Sequence, residues 1–216
     1  MRNLRLISLV SSLMLLATSA FAGNFGVGVT GAFVTFDTDG TETLRDSGNK
    51  TSKSISEDVA IPEFFVEYLA DNGSAFGLAY VPAEEIGNKS RTDSNSDGDS
   101  GTYKAAAEID SHVQFYADIP VYNTVYVTGG LSLTSIVTNE SLNSGSSYGN
   151  EDVLGYTLGV GIKGEVPYGG DGLYYKAAVT YTDFESYEQT AAGSAANKIN
   201  ADVEATALKL SLGYKF

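Results

Sequence analysis

The chain has 216 residues with no cysteine, one histidine, and 27 acidic against 13 basic side chains, a formal charge of −14. These numbers exclude a disulfide framework, a thiolate or multi-histidine metal centre, and a nucleic-acid partner, which requires an excess of Lys and Arg. Hydrophobic residues at 43% suffice for a buried or a lipid-facing surface, and charged residues at only 19%, against about 25% in soluble domains, leave a deficit that needs a physical reason.

The first segment reads as a secretory leader. Arg2 and Arg5 precede the apolar run Leu6 to Ala17, and Ala20-Phe21-Ala22 forms a small-x-small cleavage site. The apolar run is too short to span a bilayer as a helix, which takes about 20 residues. We therefore divide the chain into a leader, 1–22, and one domain, 23–216. Without the leader's two arginines, 11 bases face 27 acids, a net charge of −16. No later stretch approaches 18 apolar residues in a row, so any membrane crossing must be made by strands.

The domain alternates apolar and polar residues with period two, the signature of half-buried strands. In chain order the pattern predicts eight: Asn24–Phe36, Asp58–Ala70, Ala75–Glu85, Thr102–Ile119, Thr124–Val137, Val153–Tyr168, Gly172–Thr182 and Val203–Phe216. In Thr102–Ile119 the odd positions Tyr103, Ile109, Val113 and Phe115 form the apolar face. Lys104, Glu108, Asp110, His112 and Gln114 form the other. In the last strand Leu208, Leu210, Leu212, Tyr214 and Phe216 share a face.

Connections alternate strictly between long and short. Asp37–Glu57, Ile86–Gly101, Thr138–Asp152 and Asp183–Asp202 are long and polar; Asp71–Ser74, Pro120–Asn123 and Pro167–Asp171 are short. Tight hairpins at one end and long ones at the other predict an all-β, eight-stranded antiparallel up-and-down transmembrane barrel. Its apolar faces would point to lipid, and its termini would be periplasmic with the long loops extracellular. The alternative, a soluble ligand-binding barrel, would turn the apolar face inward. Against it stand the charges on the polar face, including Glu63, Glu67, Lys163, Glu165, Lys176 and Lys209, which would pair across a narrow lumen. Tyr68, Phe76, Phe115, Tyr168, Tyr175 and Tyr214 on the apolar face further suit an interfacial aromatic girdle.

The end of the chain, Leu210-Ser211-Leu212-Gly213-Tyr214-Lys215-Phe216, resembles the C-terminal insertion signal of bacterial outer-membrane proteins. With the leader and eight strands, the domain resembles the small eight-stranded outer-membrane barrels, the group of the outer membrane protein A barrel domain and the opacity-like surface proteins. That resemblance implies lipid and lipopolysaccharide as surroundings.

Two segments invite a chemical reading. His112 lies between Asp110 and Gln114; lipid A deacylases among the small barrels pair a His with a Ser two residues on, and position 114 is Gln, so neither an enzyme nor a catalytic residue is expected. By spacing, Glu108, Asp110 and His112 would stack on one face. Asp93-Ser94-Asn95-Ser96-Asp97-Gly98-Asp99 matches the first half of a calcium loop, but the position for the bidentate Glu is Lys104. We therefore expect a solvated acidic loop with at most weak divalent-cation binding, and no resident metal or cofactor.

The leading functional expectation is a monomeric, non-enzymatic barrel that stabilises the outer membrane and displays loops, its lumen closed by polar side chains. The alternatives are a narrow pore or lateral-diffusion path for small molecules and a loop-mediated adhesin or receptor.

Overall fold

The computed structural model describes residues 25–45, 47–93, 101–141, 148–167, 171–192 and 197–216. Ten strand segments follow in order: β1 Phe25–Thr43, β2 Lys50–Leu69, β3 Ala75–Val81, β4 Glu84–Asp93, β5 Gly101–Tyr122, β6 Val125–Ser141, β7 Glu151–Glu165, β8 Leu173–Phe184, β9 Tyr187–Thr190 and β10 Lys198–Lys215. They make eight staves. β3 and β4 are one stave broken at Pro82-Ala83, and β8 and β9 are another broken at Glu185-Ser186. Each stave pairs antiparallel with its neighbours, and β1 pairs with β10 from Gly26↔Lys215 to Thr43↔Lys198, which closes the ring. Among the described residues no helix is long and apolar enough to cross a membrane.

The expected alternation sorts side chains as a bilayer demands. Val27, Val29, Phe33, Phe64, Phe115, Leu131, Leu158, Val160, Val179, Leu208, Leu210 and Leu212 are all exposed on the outside. A surface this apolar is stable only against lipid. The short turns sit at one end, the turn end. There Gly73 takes a positive φ of 83° to close Ala70–Ser74, and Asn123 takes 47° between β5 and β6. Outward rings gather at that end, with Phe25 edge-on to Tyr68 at 5.6 Å and Tyr214 edge-on to Phe216 at 5.5 Å.

Three expectations need correction. Among the described residues the long connections are largely strand. β1 and β2 stay paired to Thr43↔Lys50, so the segment Asp37–Glu57 contains only a short turn, and β9 pairs with Lys198–Ala201 of β10. Cross-strand bonds between short polar side chains carry this extension past the apolar belt: Thr35 to Asp58 at 2.6 Å, Thr41 with Ser52 at 2.9 Å, and Ser54 to Asp39.

The second correction concerns β5. Its register against β6 shifts between Ile109 and Ser111, a bulge at Asp110, so the faces swap there. Ile109, expected to face lipid, is instead luminal and 4% exposed, and Glu108 pairs with outward Val137. Glu108, Asp110 and His112 therefore do not share one face.

The third concerns the lumen, which is not polar throughout. Ala32, Val34, Phe36, Ile61, Val81, Ile109, Ala205 and Ala207 form a buried apolar cluster towards the loop end, flanked by Val59, Phe184 and Val203.

One consequence is measurable by urea unfolding in detergent. Ile109→Val should cost about 0.5–1.5 kcal/mol, the range for a buried methylene. Val127→Ala on the lipid face should cost less, because acyl chains refill the vacated space. Equal costs would return Ile109 to the outside.

The expected leader, 1–22, and residues 94–99 of the acidic loop lie outside the described residues, as does Tyr168; nothing is described of the side chains of Asp93 and Lys104.

Candidate functional site: the luminal network

The inward positions of β2, β5, β8 and β10 bring together the polar residues that the alternation assigned to one face. Below the apolar tier, towards the turn end, Glu67 is 1% exposed and accepts three bonds. These come from Tyr116 Oη at 2.6 Å, Tyr174 Oη at 2.7 Å and Lys176 Nζ at 2.7 Å. Lys176 also reaches Asp118 at 3.2 Å, so one ammonium bridges two carboxylates on different staves. Its Nζ lies 4.6 Å from the Phe65 ring centroid and 4.8 Å from that of Tyr116, a cation–π seat.

A second layer lies above. Lys209 pairs with Glu63 at 2.7 Å and reaches Gln114 Oε1 at 3.5 Å. Gln114 donates to Thr157 at 2.7 Å, and Thr157 shares a bond with Thr182 at 2.8 Å. Thr30 and Ser211 join at 2.8 Å. Between the two layers is a cavity of about 40 Å³, bordered by Glu63, Gln114, Asp118, Lys176 and Lys209. At about 10–15 Å³ per ordered water, it holds a few waters and nothing larger.

Packing in this tier depends on glycine. The ring of Tyr116 lies over Gly77, that of Tyr174 over Gly26 and Gly213, and that of Phe65 over Gly28, each so close that a Cβ would overlap it. The aromatic side chains thus lie flat against the wall, which lets both tyrosine hydroxyls meet at Glu67.

The remaining candidates are placed as follows. His112 Nδ1 bonds Thr134 Oγ1 at 2.8 Å, with the Phe184 ring edge-on at 6.5 Å. Thr134 is 2% exposed, and His112 is half-buried. Lys163 donates to the Gly73 carbonyl and sits 5.7 Å from the Tyr126 ring, near the turn end. Glu165 is exposed. The sequence reading missed Asp118 as a partner of Lys176, although its even position in the alternation of β5 marked it as luminal. Among the described residues no group of three or more His, Asp or Glu is placed to hold a metal.

No family model matches the chain, and no curated protein matches it. Solved structures do. The outer membrane protein AlkL, determined in lipid bilayers, is 11% identical over 90% of this chain and 90% of its own, with a TM-score of 0.50. OprG from Pseudomonas aeruginosa is 17% identical over 90% and 96%, TM-score 0.48. Neisserial surface protein A is 14% identical over 89% and 97%, TM-score 0.42. At these identities the likeness is one of fold. With its closed ring of eight staves and apolar exterior, the chain has the architecture of the small outer-membrane β-barrels.

Proposed function

We propose that the protein is a monomeric, non-enzymatic outer-membrane barrel with a structural and surface-display role and a lumen closed to axial flow. The observation that carries this reading is the bridge from Glu67 through Lys176 to Asp118, which crosses the lumen with every heavy partner buried. An eight-stranded barrel is narrow enough for side chains to fill, and a filled lumen conducts no water column. In this reading the turn end faces the periplasm and the polar staves project outward. Their carboxylates meet lipopolysaccharide phosphates through weakly held divalent cations.

Reconstitution in planar bilayers tests it. The expected record is a quiet baseline, and stable channel steps overturn the closed lumen. A second reading, a lateral path for small apolar molecules, draws on one observation. The apolar tier at Val59, Ile61, Val81 and Ile109 adjoins the line where no ladder joins β2 to β4 among the described residues. Uptake of naphthalene into proteoliposomes faster than into protein-free vesicles would favour it.

A further inference from the structure

The lipid-facing wall is not evenly covered. On β2 and β3 the outward residues pair in three rows, Phe64↔Tyr80, Val66↔Leu78 and Tyr68↔Phe76. The outer two rows are aromatic ridges and the middle one is aliphatic. Val27 of β1 stands opposite Val66, and Phe115 of β5 opposite Leu78, so they border the middle row on either side. Phe64, Tyr68, Phe76 and Phe115 are exposed, while Val66 and Leu78 lie half-buried between them. The result is a groove of about 320 Å³. That is within the range of ligand-binding clefts, about 300–1,000 Å³.

An interfacial girdle accounts for Tyr68 and Phe76, next to the Ala70–Ser74 turn, but not for the other ridge. Phe64 and Tyr80 lie four residues deeper in the belt, about 13 Å along the strand. Aromatic side chains have few rotatable bonds and keep their shape, so the ridges hold the groove open. On the opposite wall a hollow of about 300 Å³ at Val160, Ala177 and Val179 is lined by aliphatic side chains and glycine alone, with no such ridges.

Its position decides what can enter. The groove is continuous with the apolar belt that lipid covers, and its floor of Val66 and Leu78 offers no hydrogen-bonding side chain. The inserted group is therefore hydrocarbon. With rings on both sides, the space between the ridges is narrower than an α-helix with its side chains, about 10–12 Å across. An acyl chain fits.

We propose that this groove is a lipid-binding site, which holds one acyl chain of a phospholipid from the turn-end leaflet. The chain lies on Val66 and Leu78 between the ridges, with Phe115 against its side. This deepens the structural reading, and rests on it, by naming the lipid that the barrel holds in place.

The test is a titration of the folded, methyl-labelled protein in deuterated detergent with palmitoyl-oleoyl phosphatidylethanolamine, followed by NMR. Expected are shifts of the Val66 and Leu78 methyls that saturate at one lipid per barrel, with cross-relaxation from the acyl methylenes. Val160 and Val179, on the opposite wall, should show neither. Leu78→Trp fills the floor and should abolish the saturable shift at Val66 while the heat-dependent gel shift stays intact. Val160→Trp should leave lipid binding unchanged, and Phe115→Ala should weaken it. Should a variant lose the gel shift, the titration of the unaltered protein decides alone. Three results overturn the proposal: shifts that rise without saturating, equal contact at Val160 and Val179, or broadening at Val66 and Leu78 that grows with protein concentration and excludes lipid. The last would make a second copy the occupant. Each leaves the closed lumen standing, because conductance reads that independently.

Discussion

Replacing Lys176 with methionine should lower the unfolding free energy by about 3–5 kcal/mol, the cost of leaving a buried ion cluster without one partner. Lys176 is 8% exposed and is the cation for both Glu67 and Asp118. Methionine would fill most of its volume against Phe65 and Tyr116, so the loss isolates charge rather than packing. Adding Glu67→Gln should recover part of the loss, because the amide still accepts from the tyrosines and only Asp118 remains unpaired. The measurement is a urea titration in detergent followed by circular dichroism, since the chain has no tryptophan to report on unfolding. An unchanged midpoint would show that water solvates Glu67 freely, and the closed-lumen reading would fall with it.

Gly213→Val should cost about 3 kcal/mol or more, and on many refolding trials should leave the unheated gel band unshifted. Any Cβ at this position overlaps the Tyr174 ring, which cannot swing aside without leaving Glu67. Two terms add: overpacking, about 1–3 kcal/mol, and the loss of a hydrogen bond to a charged acceptor, about 1.5–3 kcal/mol. Combining Gly213→Val with Tyr174→Ala separates them, because removing the ring relieves the overlap and leaves only the missing bond. If the double variant is no better than the single one, the glycine serves the backbone of β10 and not the tyrosine above it.

The parts of this architecture legible in the sequence are those set by the outer face. Leu208, Leu210 and Leu212, or Leu154, Tyr156 and Leu158, alternate because lipid tolerates nothing else, and the period fixes both strand and direction. The same parity placed Glu63, Glu67, Lys176 and Lys209 inside, but which of them pair depends on stagger between staves, and no single strand records stagger. The bulge at Asp110 was invisible because one extra residue leaves no compositional mark. The parity rule therefore ran straight through it and sent Ile109 to the wrong side. The apolar luminal tier did leave a signal: Ala32, Phe33 and Val34 in succession, and Val59, Ala60 and Ile61, are apolar on both faces at the same height. The polar hairpin extensions read as loops because Ser, Thr and Asp favour turns in isolation. Here they form strand by bonding across it, as Thr41 does with Ser52.

The seam between the first and last staves, Gly26↔Lys215 through Thr43↔Lys198, joins the two most distant parts of the domain. A nascent chain that has emerged as far as β8 holds its hairpins but has nothing to close on, and its first strand waits with an open side. Closure therefore cannot begin before β10 is available. A chaperone that holds the chain unfolded until β10 arrives would be governing a single decision rather than eight, and a truncated product, left with two raw edges, would be recognisable for disposal by that fact alone.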